Sequence, residues 1–168
     1  MKKLISIALL FIAMGVLAGA GKAQTSSKQA ARDAKEAELK SKVESGHFTF
    51  IAQFIQPLGG EQHYLTDEYD LRVKKDSVIA WLPYIGRVYL DAPIFPDDNG
   101  VKFSSTNFNY KIQPKRKDGW SVTVNLNDVK RSSRLVFDIS SSGSAYLTIL
   151  SNTRDQVAYL GYIKEEKE

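Results

Sequence analysis

Residues 120–150, WSVTVNLNDVKRSSRLVFDISSSGSAYLTIL, contain three segments in which apolar and polar side chains alternate. An alternation with a period of two is typical of a β-strand that has one face in a core and the other towards solvent. Short polar stretches separate the segments, and Ser141 to Gly143 has the composition of a hairpin turn. This stretch therefore predicts three consecutive antiparallel strands.

The same period extends in both directions from this stretch. Further alternating segments cover residues 48–54, 69–73, 77–82, 101–112 and 157–163. In the first of them, one face is predicted to carry Phe48, Phe50, Ala52 and Phe54. Between Ser104 and Asn107 the apolar phase changes, which predicts a bulge or a bend in that strand.

Seven or eight short strands joined by tight turns indicate an all-β antiparallel meander. Such a sheet has to bury one face and protect its edges. We expect a lipocalin-like barrel or half-barrel, and a two-sheet β-sandwich is the alternative. The chain has no cysteine, so the fold has to stand without disulfides. A chain of about 145 residues can do so because it buries roughly two-thirds of its unfolded surface.

The N-terminus has the layout of a secretory signal peptide. Two lysines precede an apolar run from Leu4 to Leu17, and small residues follow. The run is shorter than the roughly 20 residues that a membrane-spanning helix needs. We expect residues 1–23 to be removed, with cleavage after Ala23 favoured over cleavage after Ala20. The mature protein is then exported, periplasmic or secreted, and has no stable membrane span.

Residues 24–45 connect the signal peptide to a single β domain at residues 46–168. They are rich in Ala, Lys and Glu, which are strong helix formers, and they predict a helix over residues 27–44. The apolar face of this helix is thin and consists of Ala30, Ala34, Ala37, Leu39 and Val43. We therefore expect the helix to pack only lightly, and a flexible tether is the alternative.

The charge balance argues against a nucleic-acid partner. The whole chain has 23 Lys and Arg against 19 Asp and Glu, and its pI is about 9.2. Three of the lysines belong to the signal peptide, which leaves 20 basic against 19 acidic groups, and residues 46–168 hold fifteen of each. A neutral domain has no general electrostatic attraction for phosphate.

No metal site or catalytic constellation is predicted. His47 and His63 are the only histidines, and a metal site needs three or four convergent ligands. The acidic turn at residues 97–100 lacks the ligand spacing of a calcium loop. Neither serine cluster has the sharp elbow of a nucleophilic serine. We expect a non-enzymatic protein that needs no cofactor.

The segment from Trp81 to Tyr89 is the least generic part of the chain. It places aromatic side chains and an arginine around a proline and a glycine, where the backbone has to bend. Aromatic rings at such a bend can line a pocket, so the candidate ligand-binding residues are Trp81, Tyr84, Arg87 and Tyr89. Packing in a core is the alternative explanation for the same residues.

The stretch Leu82-Pro83-Tyr84-Ile85-Gly86-Arg87-Val88-Tyr89 resembles the Leu-Pro-Tyr-Phe-Gly-Arg-Ala-Tyr signature of domain-of-unknown-function family 4251, a family of exported bacterial proteins. Further matches are Phe48 and Phe50, Pro57, Asp76 to Val78, Ile139 to Gly143, Ser151 to Arg154 and Tyr159 to Ile163. The resemblance covers nearly all of residues 28–163. It implies an exported lipocalin-like β fold without an assigned activity, and it transfers no catalytic residues.

Two functions follow from these observations. The first is a domain that binds a small apolar or amphipathic ligand inside a barrel or in a groove lined by aromatic side chains. The second is a structural or protein-interaction module of the cell envelope that uses a sheet edge or the helix.

Overall fold

The computed structural model describes residues 28–90 and 100–165. A helix, α1, covers residues 28–45. The strands are β1 (Phe48–Pro57), β2 (His63–Val73), β3 (Val78–Leu82), β4 (Val101–Ser105), β5 (Phe108–Pro114), β6 (Trp120–Leu126), β7 (Arg134–Ile139), β8 (Ser144–Leu150) and β9 (Val157–Ile163). The predicted signal peptide and most of the acidic turn lie outside the described residues. No helix in the described ranges is long and apolar enough to cross a membrane.

All nine strands belong to one antiparallel sheet in the order β4-β3-β2-β1-β9-β8-β7-β6-β5. Because each strand is antiparallel to its neighbour, β4 and β5 at the two ends of the sheet run in the same direction. In sequence, only Thr106 and Asn107 separate them. They are therefore two halves of one bent strand, which pairs first with β3 and then with β6. This bent strand connects the two ends of the sheet, and the result is a nearly closed barrel. The predicted barrel and the predicted bend are both confirmed.

One carboxylate organises the bend. The hydroxyl of Ser105 donates to Asp128 Oδ1 at 2.5 Å, and the N–H groups of Thr106 and Asn107 donate to Oδ2 at 2.9 and 3.1 Å. These backbone groups lie where the strand changes its pairing partner. The loop after β6 thus supplies the acceptor that a neighbouring strand supplies elsewhere in the sheet.

Replacing Asp128 with asparagine is expected to lower the urea midpoint of unfolding at pH 7. The hydrogen bonds from Ser105 and Thr106 hold the pKa of the Asp128 carboxyl below its usual value. This stabilisation is fully present above the ordinary pKa of 3.8 and is lost as the pH falls through the lowered pKa. The difference in urea midpoint between the wild type and Asp128→Asn should therefore become smaller towards pH 2.

The control for this prediction is Asp118→Asn. Asp118 also accepts a backbone hydrogen bond, from the Ser141 N–H, but at 3.3 Å and in a simple turn. We expect a smaller change in the urea midpoint at pH 7 for this variant. Equal effects of the two substitutions at every pH would contradict the assigned role of Asp128.

The core lies inside the barrel and follows the predicted alternation. On β6, Val122 and Val124 are fully buried, and the alternating residues Ser121, Thr123 and Asn125 are half-buried. The largest fully buried aromatic side chains are Phe50, Phe137 and Tyr159. The buried hydrophobic residues form one continuous cluster. The barrel interior is therefore occupied by side chains, as is usual for a barrel of about eight strands.

The prediction for β1 is wrong at Phe54. A β-bulge at Gln53 places one extra residue between Ala52 and Phe54, which pair with the consecutive residues Gly161 and Leu160 of β9. The bulge reverses the phase of the remaining strand. Phe54 consequently points outward, and Ile55 takes the buried position on the inner face.

The helix is confirmed over its described residues, and its predicted apolar face is only partly correct. Ala30, Ala34 and Ala37 are exposed. Contacts divide the chain into two compact units, one ending at Ala37 and one beginning at Glu38. Within the second unit, Leu39 and Val43 belong to the core of the barrel.

Tyr110 of β5 holds the end of the helix. Its hydroxyl donates to the Val43 carbonyl at 2.5 Å, and its ring lies 3.8 Å from the position that a Cβ atom of Gly46 would occupy. Gly46 has a φ of 64°. Burial raises the pKa of Tyr110. Because Val43 is fully buried, this last part of the helix is integral to the barrel core.

Candidate functional site

The structure places the four predicted site residues in different surroundings. Trp81 points outward from β3, is 53% exposed, and has Lys102 Nζ 4.2 Å from its ring centroid. Tyr84 is 8% exposed and lies in the core. Arg87 and Tyr89 belong to an exposed segment after β3. The structure brings Tyr84, Arg87 and Tyr89 together around one loop.

Residues 83–90, which we call the strap, pair with the loop between β8 and β9. Val88 and Arg154 form an antiparallel bridge. The Tyr89 N–H donates to the Thr153 carbonyl at 2.8 Å, and the Asp155 N–H donates to the Arg87 carbonyl at 3.0 Å. The strap is therefore a short two-stranded ribbon added at one end of the barrel.

Tyr84 is the internal anchor of the strap. Its hydroxyl donates a shared hydrogen bond to the carbonyl oxygens of Arg87 and Asp155, at 2.9 and 3.1 Å. The guanidinium of Arg154, which is 5% exposed, lies 4.7 Å from the centroid of the Tyr84 ring. Burial raises the pKa of Tyr84, although Arg154 acts in the opposite direction. This cation–π pair fixes the strap on the barrel.

Two further contacts hold the strap. The hydroxyl of the buried Tyr159 donates to the Pro83 carbonyl at 2.5 Å. The hydroxyl of Tyr89 donates to Asp155 Oδ1, and this hydrogen bond is the main reason that the pKa of Tyr89 is raised. Tyr89 is nevertheless 61% exposed. The ring of Tyr89 is consequently held in position and accessible at the same time.

A row of apolar side chains crosses the outer face of the barrel on four neighbouring strands. It runs from Tyr64 on β2 through Phe54 on β1 and Leu160 on β9 to Tyr146 on β8, each paired in register with the next. We call these four residues the outer row. At the usual strand spacing it is about 14 Å wide. Tyr64 and Tyr146 are 67% and 37% exposed, so both ends of the row are open to solvent.

Sequence reasoning missed the outer row because the row depends on the bulge at Gln53. Without it, Phe54 would point into the barrel, and the row would be interrupted on β1. The ring of Phe54 packs edge-on against Tyr64, with centroids 5.3 Å apart. The register between β1 and β9 brings Leu160 beside Phe54, and an alternating pattern alone does not set that register.

A shallow groove of about 140 Å³ adjoins the outer row. It is lined by Gln56, Pro57, Leu58, Gly59, Tyr146, Gln156 and Ala158. Its wall contains no charged side chain, and Leu58 at its rim is 60% exposed. Asp155 and Gln156 are consecutive, so the loop that anchors the strap also forms part of the groove. The groove and the strap thus belong to the same end of the barrel.

The described residues offer little to a metal ion. In the ranges 28–90 and 100–165, no group of three or more His, Asp or Glu side chains converges. His63 lies exposed at the start of β2, and His47 lies exposed between the helix and β1. The groove and the strap are therefore the features around which a function can be argued.

The sequence model of a family described as "Domain of unknown function (DUF4251)" matches residues 30–163. No curated protein matches the chain significantly.

Proposed function

Because this chain belongs to the DUF4251 family, whose description assigns no activity, we propose its function from the geometry: it is an exported, non-enzymatic module that binds a small amphipathic ligand in the outer groove. One observation carries the proposal, namely an uncharged groove that adjoins an exposed row of aromatic and aliphatic side chains. Export is supported by the signal-like segment at residues 1–23.

The core supports a site on the outer face of the barrel. Phe50, Phe137 and Tyr159 are fully buried and occupy the interior together with many aliphatic side chains. A ligand inside the barrel would have to displace part of this packing, and the displaced contacts would cost several kcal/mol. The outer groove needs no such rearrangement.

The size of the groove limits what it holds. Complete sites for drug-sized molecules occupy roughly 300–1,000 Å³, whereas this groove has about 140 Å³. A cavity of roughly 150 Å³ accepts a benzene ring. The groove therefore takes one ring or one short chain, and the rest of the ligand would lie on the outer row or the strap.

The predicted site residues have separate roles in this proposal. Arg87 and Tyr89 are exposed on the strap beside the loop that contributes Gln156, and they extend the binding surface. Tyr84 positions the strap from below. Trp81 lies on the outer face of β3, where its register partner on β2 is Asp70, and it belongs to the more distant part of that surface.

An NMR titration with hexyl β-glucoside, kept below its micellar concentration, tests the proposal. We expect the largest amide shifts at Gln56, Gly59 and Gln156, and small shifts for core residues such as Phe137. Leu58→Ser should weaken binding about threefold to tenfold because it removes apolar surface from the rim.

Tyr162→Ser is the control for Leu58→Ser. Tyr162 is 41% exposed on β9 and belongs to neither the groove wall, the outer row nor the strap. This variant should bind the probe within twofold of the wild type. Shifts concentrated in the barrel core, or an equal loss of affinity in both variants, would count against the outer groove as the site.

The outer row also favours a second candidate, a module that interacts with an envelope protein. A row of apolar side chains open to solvent at both ends is typical of protein-interaction surfaces. Cross-linking in intact envelopes from a photoreactive residue at position 64 distinguishes the two candidates. A discrete protein adduct that forms whether or not hexyl β-glucoside is present would favour the second.

A further inference from the structure

The groove gathers hydrogen-bonding groups that the protein itself does not use. Within residues 28–90 and 100–165, the amides of Gln56 and Gln156 and the hydroxyl of Tyr146 make no hydrogen bond to another protein group. Each amide offers donors and an acceptor, and the hydroxyl offers both. Three polar groups of this kind around one ring-sized groove suit a ligand with several hydroxyl groups.

We propose that the groove binds a single ring of a neutral sugar, an inference that rests on the proposed function and names its ligand class. A sugar ring has C–H faces with a partial positive charge, and the face of the Tyr146 ring is negative. The hydroxyl groups at the edge of the sugar then meet the amides of Gln56 and Gln156. The groove of about 140 Å³ is shallow and holds one face and edge of such a ring, and the rest of the sugar stays in solvent.

The chemistry of the wall distinguishes a sugar from other small ligands. A charged ligand would find no opposite charge, because no Lys, Arg, Asp or Glu lines the groove. A purely apolar ring would form no hydrogen bond with either exposed amide, so it would gain less from this wall. A neutral sugar ring can pack against the Tyr146 ring and also form hydrogen bonds with the amides of Gln56 and Gln156.

The outer row extends the proposal to sugar chains. From Tyr146 the row continues over Leu160 and Phe54 to Tyr64, whose ring is held by its edge contact with Phe54. A second or third ring of an oligosaccharide would lie on this apolar surface. We therefore expect an oligosaccharide to bind more tightly than the monosaccharide that forms its end.

NMR titrations with a panel of neutral methyl glycosides test the inference. The panel contains the methyl glycosides of glucose, galactose, mannose and N-acetylglucosamine, and 1-hexanol serves as the apolar probe. At least one glycoside should shift the amides around Gln56 and Gln156. Tyr146→Ala should weaken its binding about tenfold, and Gln156→Met about fivefold.

Two control variants match these substitutions. Tyr162 also points outward on the sheet, is 41% exposed and is not part of the groove wall, so Tyr162→Ala should leave the affinity within twofold. Gln113→Met is the control for Gln156→Met, because Gln113 is exposed on β5. It should also leave the affinity within twofold. Tyr146 is exposed on β8 and Gln156 is exposed in the loop before β9. Circular dichroism checks that all four variants remain folded.

The outcomes separate this inference from the proposed function. If 1-hexanol and hexyl β-glucoside bind in the groove and no methyl glycoside does, the sugar inference is overturned and the proposed function stands. If none of the probes shifts the groove, both are overturned. Equal weakening in Tyr146→Ala and Tyr162→Ala would also overturn the inference, because the groove would then not be the contact.

Discussion

Replacing Phe137 with alanine is expected to lower the free energy of unfolding by about 3–5 kcal/mol. Phe137 is fully buried on β7, and its ring makes edge contacts with Phe48 and Phe50, with centroids 5.4 and 6.0 Å apart. It joins the two halves of the sheet across the interior. Its removal leaves a cavity that several strands would have to move to fill.

Urea unfolding, followed by tryptophan fluorescence, to which the buried Trp120 contributes, and by circular dichroism, measures this loss. Val136→Thr is the control, because Val136 precedes Phe137 and points outward on the same strand. Its expected effect is within about 0.5 kcal/mol. A loss of similar size in both variants would show that β7 does not have the inner and outer faces described above.

The second large effect is expected for Gly161→Ala on β9. A Cβ atom at this position would lie 1.8 Å from the Ile51 carbonyl oxygen. That oxygen belongs to the backbone of β1, so a side-chain rotation cannot relieve the overlap. We expect a loss of about 3 kcal/mol or more, at the upper end of the range for overpacked sites, and a reduced yield of folded protein.

Gly143→Ala separates this steric effect from a general intolerance of glycine substitution. Gly143 has a φ of 89° and lies in the turn before β8, but its added Cβ would have no atom closer than 4.0 Å. The cost there is the backbone strain alone, roughly 1–2 kcal/mol. If calorimetry gave Gly161→Ala the smaller loss of the two, the close approach of β1 and β9 would be refuted.

Much of the fold could be predicted because alternation reports burial directly. The residues Val122, Val124, Leu135 and Phe137 alternate with polar or half-buried neighbours, and all four are inward in the structure. The phase change before Phe108 likewise predicted the bend. Local sequence is sufficient in these cases because the alternation of apolar and polar residues, and the burial that it reports, belong to the same strand.

The error at Phe54 has a different physical origin. In the segment from Phe48 to Phe54 every second residue is apolar, and no glycine or proline marks the bulge at Gln53. The bulge accompanies the close approach of Gly161 to Ile51, which is a contact with the last strand of the chain. A pattern within β1 cannot contain that information.

The candidate site was predictable only in part for the same reason. The bend around Pro83 and Gly86 indicated an unusual segment, and the structure shows Tyr84, Arg87 and Tyr89 around Asp155. The outer row and the groove combine side chains from strands that are distant in sequence. Their assembly depends on register, and neither Gln56 nor Gln156 belongs to a recognisable motif.

The pairing of β1 with β9 also determines when the protein can fold. During synthesis β1 appears first and β9 last, so one side of β1 has no partner until the C-terminal strand has emerged. A barrel of this order cannot close around an incomplete chain. A chain cut short before β9 would retain an unpaired edge on β1, which can pair with another chain.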